Sequence, residues 1–206
     1  MQPRTSSKQS STQSPNVNDM EEYAWVIEYM PLGHSDALRR EPAVQLLGTR
    51  FFTLLEATVK PNVSIGPGQK LYVGKDERVE VTHIKGRLEY AQLTNAAKDF
   101  LNSMIRKAVE ERESDFIGFI NNARPISIRV HTLDLMPGIG KKNMEAILNE
   151  REKQPFQSFA DLHKRVPSLS DPVGIFVHRI LSELQGNEKH YLFVKPPATL
   201  LQQQRK

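Results

Sequence analysis

The stretch Met136-Pro137-Gly138-Ile139-Gly140-Lys141-Lys142 decides the reading of this chain. A proline and two glycines interrupt two segments of helical character, HTLDL before and KKNMEAILNERE after. Gly138 and Gly140 supply positive φ and a turn too tight for other residues. Ile139, between them, points inward as an anchor. Lys141 and Lys142 then fall in the first turn of the following helix, where the macrodipole disfavours cations. An anion resolves that conflict. The bare amides of the turn and of the first helical turn, with the two lysines beside them, hold a phosphate. The competing reading of the same residues is a packing turn with solvated lysines.

LDLMPGIGKKNMEAILNERE resembles the helix–hairpin–helix motif through Leu133, Pro137, Gly138, Ile139, Gly140, Ala146, Ile147 and Leu148. Met136 stands where leucine is frequent, and Met144 where alanine is common. The resemblance implies sequence-independent contact with a backbone phosphate through the hairpin amides. FQSFADLHKRVPSLSDPVGIFVHRILSEL resembles the second member of such a pair through Phe159, Leu162 and Val166. There the turn reads Pro167-Ser168-Leu169-Ser170. Serine tolerates positive φ poorly, so a different turn and a mainly structural role are expected. The last helix should stop at Gly186, with EKHYLFVKPP extended or forming a strand beyond it.

Upstream of the hairpins, LTNAAKDFLNSMIRKAVEERE carries apolar residues at helical spacing, with Thr94 as N-cap. SDFIGFINNA forms a second helix capped by Ser114 or Asp115, and Arg124-Pro125 ends it. Residues 93–124 are therefore expected to be a helical connector.

Residues 20–92 have a period of two instead. EYAWVIEYM puts Tyr23, Trp25, Ile27 and Tyr29 on one face, more as core than as contact surface. FFTLLEATV (Phe51 to Val59), KLYVG (Lys70 to Gly74) and RVEVTHI (Arg78 to Ile84) are further strands. RLEYAQL reads as a fifth strand or as the entry to a helix. Gly and Pro turns between them suggest a small closed barrel or sandwich.

From about residue 20 to 195 this order of segments is similar to an uncharacterised archaeal family. That family joins an OB-like barrel to a helix–hairpin–helix pair and is regarded as nucleic-acid-binding, with no established reaction. The expected fold is thus α+β: a disordered tail (1–19), a small N-terminal OB-like β-barrel (20–92), a helical connector (93–124), an all-α paired helix–hairpin–helix domain (125–195) and a flexible tail (196–206). The first tail, rich in Ser, Gln, Asn and Pro, cannot bury enough surface to offset its ordering entropy.

The charge is unevenly placed. Residues 125–206 hold 12 Lys and Arg against 8 Asp and Glu, whereas residues 20–92 hold 9 against 10. The surplus lies with the hairpins and suits an anionic partner. In the barrel, Tyr72 is the candidate stacking ring. Lys70, Lys75, Arg78, Lys85 and Arg87 are candidate phosphate contacts, of which Lys70 and Arg87 are taken as site residues with Tyr72. The competing reading is a solvated charged face.

The chain has no cysteine, which excludes disulfides and cysteine zinc sites. Its six histidines lack metal spacing, and there is no GxSxG elbow. The acidic run Glu110 to Asp115 reads as solvated. Asp171 follows the second hairpin as a catalytic aspartate does in some glycosylases, but the domain is too short to build a base pocket. A non-enzymatic, cytoplasmic nucleic-acid-binding protein is expected, binding RNA or DNA through Gly138, Ile139, Gly140, Lys141 and Lys142, with no metal, cofactor or membrane. The alternative is a scaffold whose barrel docks a protein partner.

Overall fold

The computed structural model describes residues 20–34 and 40–196. The segment 1–19, and 196–206 except Pro196, lie outside the described residues. The fold is mixed α+β, a curled antiparallel five-stranded sheet with five helices. The strands are β1 (Tyr23–Met30), β2 (Ala43–Gly48), β3 (Leu54–Val59), β4 (Lys70–Tyr72) and β5 (Val81–Arg87). Their order is β4-β1-β2-β3-β5, and every pair is antiparallel. The two end strands β4 and β5 do not pair, so the sheet curls without the closure expected from the sequence.

Strand β2 is absent from the sequence expectation. All six of its residues, AVQLLG, are buried, so it offers no alternation to read. Its one polar side chain, Gln45, is 0% exposed and fully used: Oε1 accepts from the Thr94 amide, and Nε2 donates to the Gln92 carbonyl. The turn after β2 closes on Glu21, whose carboxylate accepts from the amides of Arg50, Phe51 and Thr53. Phe52 sits there at φ +52°, so β3 starts at Leu54 rather than at Phe51. β5 likewise starts at Val81 and runs on to Arg87, so RLEYAQL gives no strand of its own: Arg87 ends β5, and a 3-10 turn at Tyr90–Gln92 leads toward α1.

A β-bulge between Val26 and Glu28 corrects the expected face of β1. Trp25 and Ile27 turn toward the helices, while Tyr29 packs into the hollow of the sheet with Val26, Leu46 and Leu71. One extra residue reverses the alternation.

The helices are α1 (Asn95–Glu111), α2 (Glu113–Asn122), α3 (Lys141–Lys153), α4 (Phe159–Arg165) and α5 (Pro172–Leu184). Thr94 caps α1 by accepting from the Ala97 amide. Neither Ser114 nor Asp115 caps α2; its N-cap is Arg112, and Asp115 pairs with that arginine at 3.0 Å. Residues 93–124, expected as a connector, lie at the centre of the packing. Leu101, Ile105 and Val109 of α1 bury against Trp25, Ile27 and Leu54 of the sheet and against Phe176 and Ile180 of α5 in a single core. α5 stops at Gly186, φ +77°, as its sequence signals. The chain beyond forms no strand; it bends around Glu183, which accepts from the amides of Leu192, Phe193 and Val194 while paired with buried Arg179. Among the described residues no helix is long and apolar enough to cross a membrane.

Candidate nucleic-acid interface

Two turns of similar plan lie side by side. A 3-10 turn at Thr132–Leu135 leads through Met136–Gly140 into α3, and α4 leads through Val166–Asp171 into α5. In each, the middle residue is buried and its amide closes the turn. Ile139, 4% exposed, donates to the Met136 carbonyl at 3.1 Å; Leu169, 3% exposed, donates to the Val166 carbonyl at 3.0 Å. Pro137, Gly138 and Gly140 stand exposed around the first anchor, and Pro167, Ser168 and Ser170 around the second.

The turns differ in backbone and in charge. Gly138 has φ +81°, the left-handed conformation expected of it. Gly140 does not: its φ is −77°, and it is the N-cap of α3. It serves by having no side chain. A Cβ there would meet nothing within 4 Å, so the space before the helix is open. Among the described residues the amides of Gly138, Gly140, Lys141 and Lys142 donate no hydrogen bond, and the first turn of α3 holds no acid. Asn143, which the sequence reading passed over, braces the turn: its Nδ2 donates to the Gly138 carbonyl at 3.1 Å. Lys141 and Lys142 are exposed and make no ion pair among the described residues.

The second turn carries its own anion. Asp171 caps α5, accepting from the Gly174 amide at 2.9 Å, and Pro172 removes the first helical N–H altogether. Arg106 of α1 donates to Asp171 Oδ2 at 2.6 Å. That hydrogen bond holds the Asp171 carboxyl below the usual carboxylate range, the Gly174 amide adding to it, and raises the Arg106 guanidinium. No positive φ occurs at Ser168 or Ser170. The aspartate set beside a glycosylase's catalytic residue is here a helix cap, and its negative charge stands at the start of α5. The two turns meet across a cleft of about 230 Å³, lined by Gly138 on one side and by Ser168, Ser170 and Asp171 on the other.

The sheet residues fall elsewhere. Arg87 is exposed and donates to the Lys195 and Pro196 carbonyls and to the Thr53 hydroxyl. Its guanidinium thus joins β5 to the end of the described chain while it also lines an open cavity beside Thr53 and Leu54. Tyr72 exchanges hydrogen bonds with Asp76 and packs edge-on against Tyr23. Lys70 lies over the rings of Tyr23 and Trp25, 5.3 Å from each. Among the described residues no group of three or more His, Asp or Glu is placed to hold a metal ion.

Residues 20–195 match the family model described as "Protein of unknown function (DUF655)". The chain belongs to this family. DUF655 relatives include the "Uncharacterized protein MJ0038" of Methanocaldococcus jannaschii. It is 43% identical over 177 residues, covering 85% of this chain and 80% of that one. The crystal structure of Af1531 from Archaeoglobus fulgidus, titled with the same DUF655 family, superposes with a TM-score of 0.80 at 40% identity. The match covers 85% of this chain and all of that one.

Proposed function

We propose that this protein binds a nucleic acid through its sugar-phosphate backbone, RNA or DNA, without reading bases and without catalysing a reaction. In this reading residues 131–153 form a working helix–hairpin–helix, residues 159–184 a second one kept for packing, and the curled sheet an OB-like module. The observation that carries it is the open start of α3. Bare amides, a helix dipole and two unpaired lysines converge there with no acid in the first turn. That combination opposes the helix's own stability and suits a phosphate. Contacts from amides and lysines position a backbone but carry no sequence information.

Fluorescence anisotropy with labelled single- and double-stranded DNA and RNA of mixed sequence tests this. The logarithm of the affinity should fall linearly with the logarithm of salt concentration, by about one power of ten per decade of salt for each phosphate neutralised. Affinities should be alike across sequences of one strand type. No binding to any oligomer at low salt would end the proposal. The competing role is a scaffold for a protein, expected to dock on the barrel; an exposed apolar tip at Ile126, Ile128 and Val130, outside the sheet, supports a docking role instead. A partner held there would respond little to salt.

A further inference from the structure

The sheet leaves a seam where its end strands β4 and β5 do not pair. Residues from both sides of that seam line one open cavity of about 310 Å³. Val73 and Arg78 come from the chain after β4, Ile84 and Arg87 from β5, and Leu55 from β3, the strand that pairs with β5.

The register of β5 builds this wall. Leu55 pairs with Arg87, Glu56 with Gly86 and Ala57 with Ile84, so Lys85 is the extra residue of a bulge. Without it, Ile84 and Arg87, three apart, would point to opposite faces of the strand. With it they share one face. Leu55 and Val73 belong to the apolar cluster in the hollow of the sheet, and Ile84 packs against that cluster. Met20 adds a further apolar side chain to the lining.

Two guanidinium groups complete it. Arg87 Nη2 donates to the Thr53 hydroxyl and to the Lys195 carbonyl, and both of those residues also line the cavity. That places the Arg87 guanidinium at the cavity wall. Arg78 is half-buried, and its Nε donates to the Gly74 carbonyl at 2.8 Å. Arg78 Nη1 and Nη2 have no acceptor among the described residues, and neither arginine forms an ion pair there. One acid lines the cavity, Glu21, whose carboxylate already accepts from the amides of Arg50, Phe51 and Thr53. Its charge still acts on Arg87 through space. Against it stand Arg78, Arg87 and Lys195, so the lining keeps an excess of positive charge.

The chemistry of an occupant follows from the lining. Aliphatic walls favour a body of carbon. Guanidinium N–H groups without acceptors favour an oxyanion, and their planar fork fits a carboxylate. The Glu21 charge opposes a second negative charge on the ligand, so a monoanion fits better than a phosphate dianion. The volume lies at the small end of ligand pockets, with room for one ring and a short acid arm.

We infer that the open seam of the sheet binds a small apolar carboxylate, its carbon body against Leu55, Val73 and Ile84 and its head group on Arg78 and Arg87. The inference stands on this cavity and does not depend on the hairpin or on nucleic-acid binding.

The full chain, carbon-13-labelled at the isoleucine, leucine and valine methyl groups, is titrated at constant pH and ionic strength. The probes are phenylacetate, phenylacetamide, acetate and phenyl phosphate. Ile84→Val identifies the Ile84 signal by its disappearance. That signal should shift saturably with phenylacetate, and the affinity should be about tenfold or more lower for the neutral amide and for acetate. Phenyl phosphate should bind more weakly than phenylacetate. Arg78→Gln should lower the phenylacetate affinity to that of the amide with the melting temperature unchanged. Ile84→Phe, which puts a ring into the cavity, should abolish phenylacetate binding. Lys141→Glu with Lys142→Glu should leave the titration as it is, so failure of this site and failure of the hairpin are read separately. An Ile84 signal unmoved by every probe means that the cavity holds solvent only, and the inference fails. Equal affinity for carboxylate and amide in the unmodified chain refutes the head-group contact, whether or not Arg78→Gln folds. Equal affinity for acetate and phenylacetate refutes the apolar contact, and tighter binding of phenyl phosphate refutes the carboxylate class.

Discussion

The two turns share a path and differ in who supplies the anion. Both bury a branched aliphatic residue, Ile139 or Leu169, and both hand the chain to a 13-residue helix. The second turn puts Asp171 at the start of α5 and ties it to Arg106. The first has Gly140 there, without a side-chain cap, and sets two lysines in the first turn of α3. A fold seeking stability alone would treat both ends as it treats the second. The difference teaches that one helix start is finished by the chain's own carboxylate while the other is not, which is the feature the proposed phosphate contact uses.

The largest expected effect comes from reversing charge at the unfinished end. Lys141→Glu with Lys142→Glu should weaken nucleic-acid binding about a hundredfold, by similar factors across sequences, and should flatten the salt dependence. Anisotropy titrations measure both, and circular dichroism should show an intact fold. Unchanged affinity would place the contact elsewhere.

The backbone difference comes next. Gly138→Val forces a β-branched residue into φ +81° and should cost about 1–3 kcal/mol in denaturant unfolding. Ser168→Val, at the matching exposed position without positive φ, should stay within about 0.5 kcal/mol. Equal costs would mean that the two turns do not differ as described.

Gly140→Asp makes the first turn resemble the second. The φ of −77° accepts aspartate, and a Cβ meets nothing. The new carboxylate should cap α3 and raise stability by a few tenths of a kcal/mol, while lowering nucleic-acid affinity about tenfold by taking the phosphate's place. Stability and binding moving in opposite directions is the signature. A joint loss would indicate misfolding instead.

The smallest change runs the other way. Asp171→Ala should cost about 1 kcal/mol through the lost cap. Because Arg106 lowers the Asp171 carboxyl, its contribution is fully present above the usual carboxylate value of about 3.9 and fades as pH falls through the lower folded value. Stability curves of wild type and Asp171→Asn should therefore converge on acidification below about pH 4. Parallel curves would remove the ion pair from the account.

How much of this was legible depended on whether a residue's role is local. Gly138, Ile139 and the last stop at Gly186 were readable because turn chemistry is written within a few residues. Thr94 was readable for the same reason. β2 was not, since AVQLLG is buried on both faces and shows no period. The bulge in β1 was invisible because one inserted residue leaves no compositional mark. Arg87 and Asp171 drew functional readings from their type alone. Their partners, the carbonyls of Lys195 and Pro196 for one and Arg106 for the other, lie far along the chain. Trp25 was read correctly as core by its ring, while its unsatisfied N–H needed coordinates to be seen.

The clasp around Arg179 and Glu183 bears on how the protein is made. Glu183 needs the amides of Leu192 to Val194, and Arg179 needs the His190 carbonyl and Glu188. During synthesis these acceptors and donors emerge from the ribosome after α5, so a nascent chain stalled at Leu184 carries two charges bound for the interior with the partners at residues 188–194 untranslated. The helical half therefore matures only once residues 188–194 have been made. Early termination before residue 192 should yield a species sought by chaperones and proteases rather than a shorter working protein.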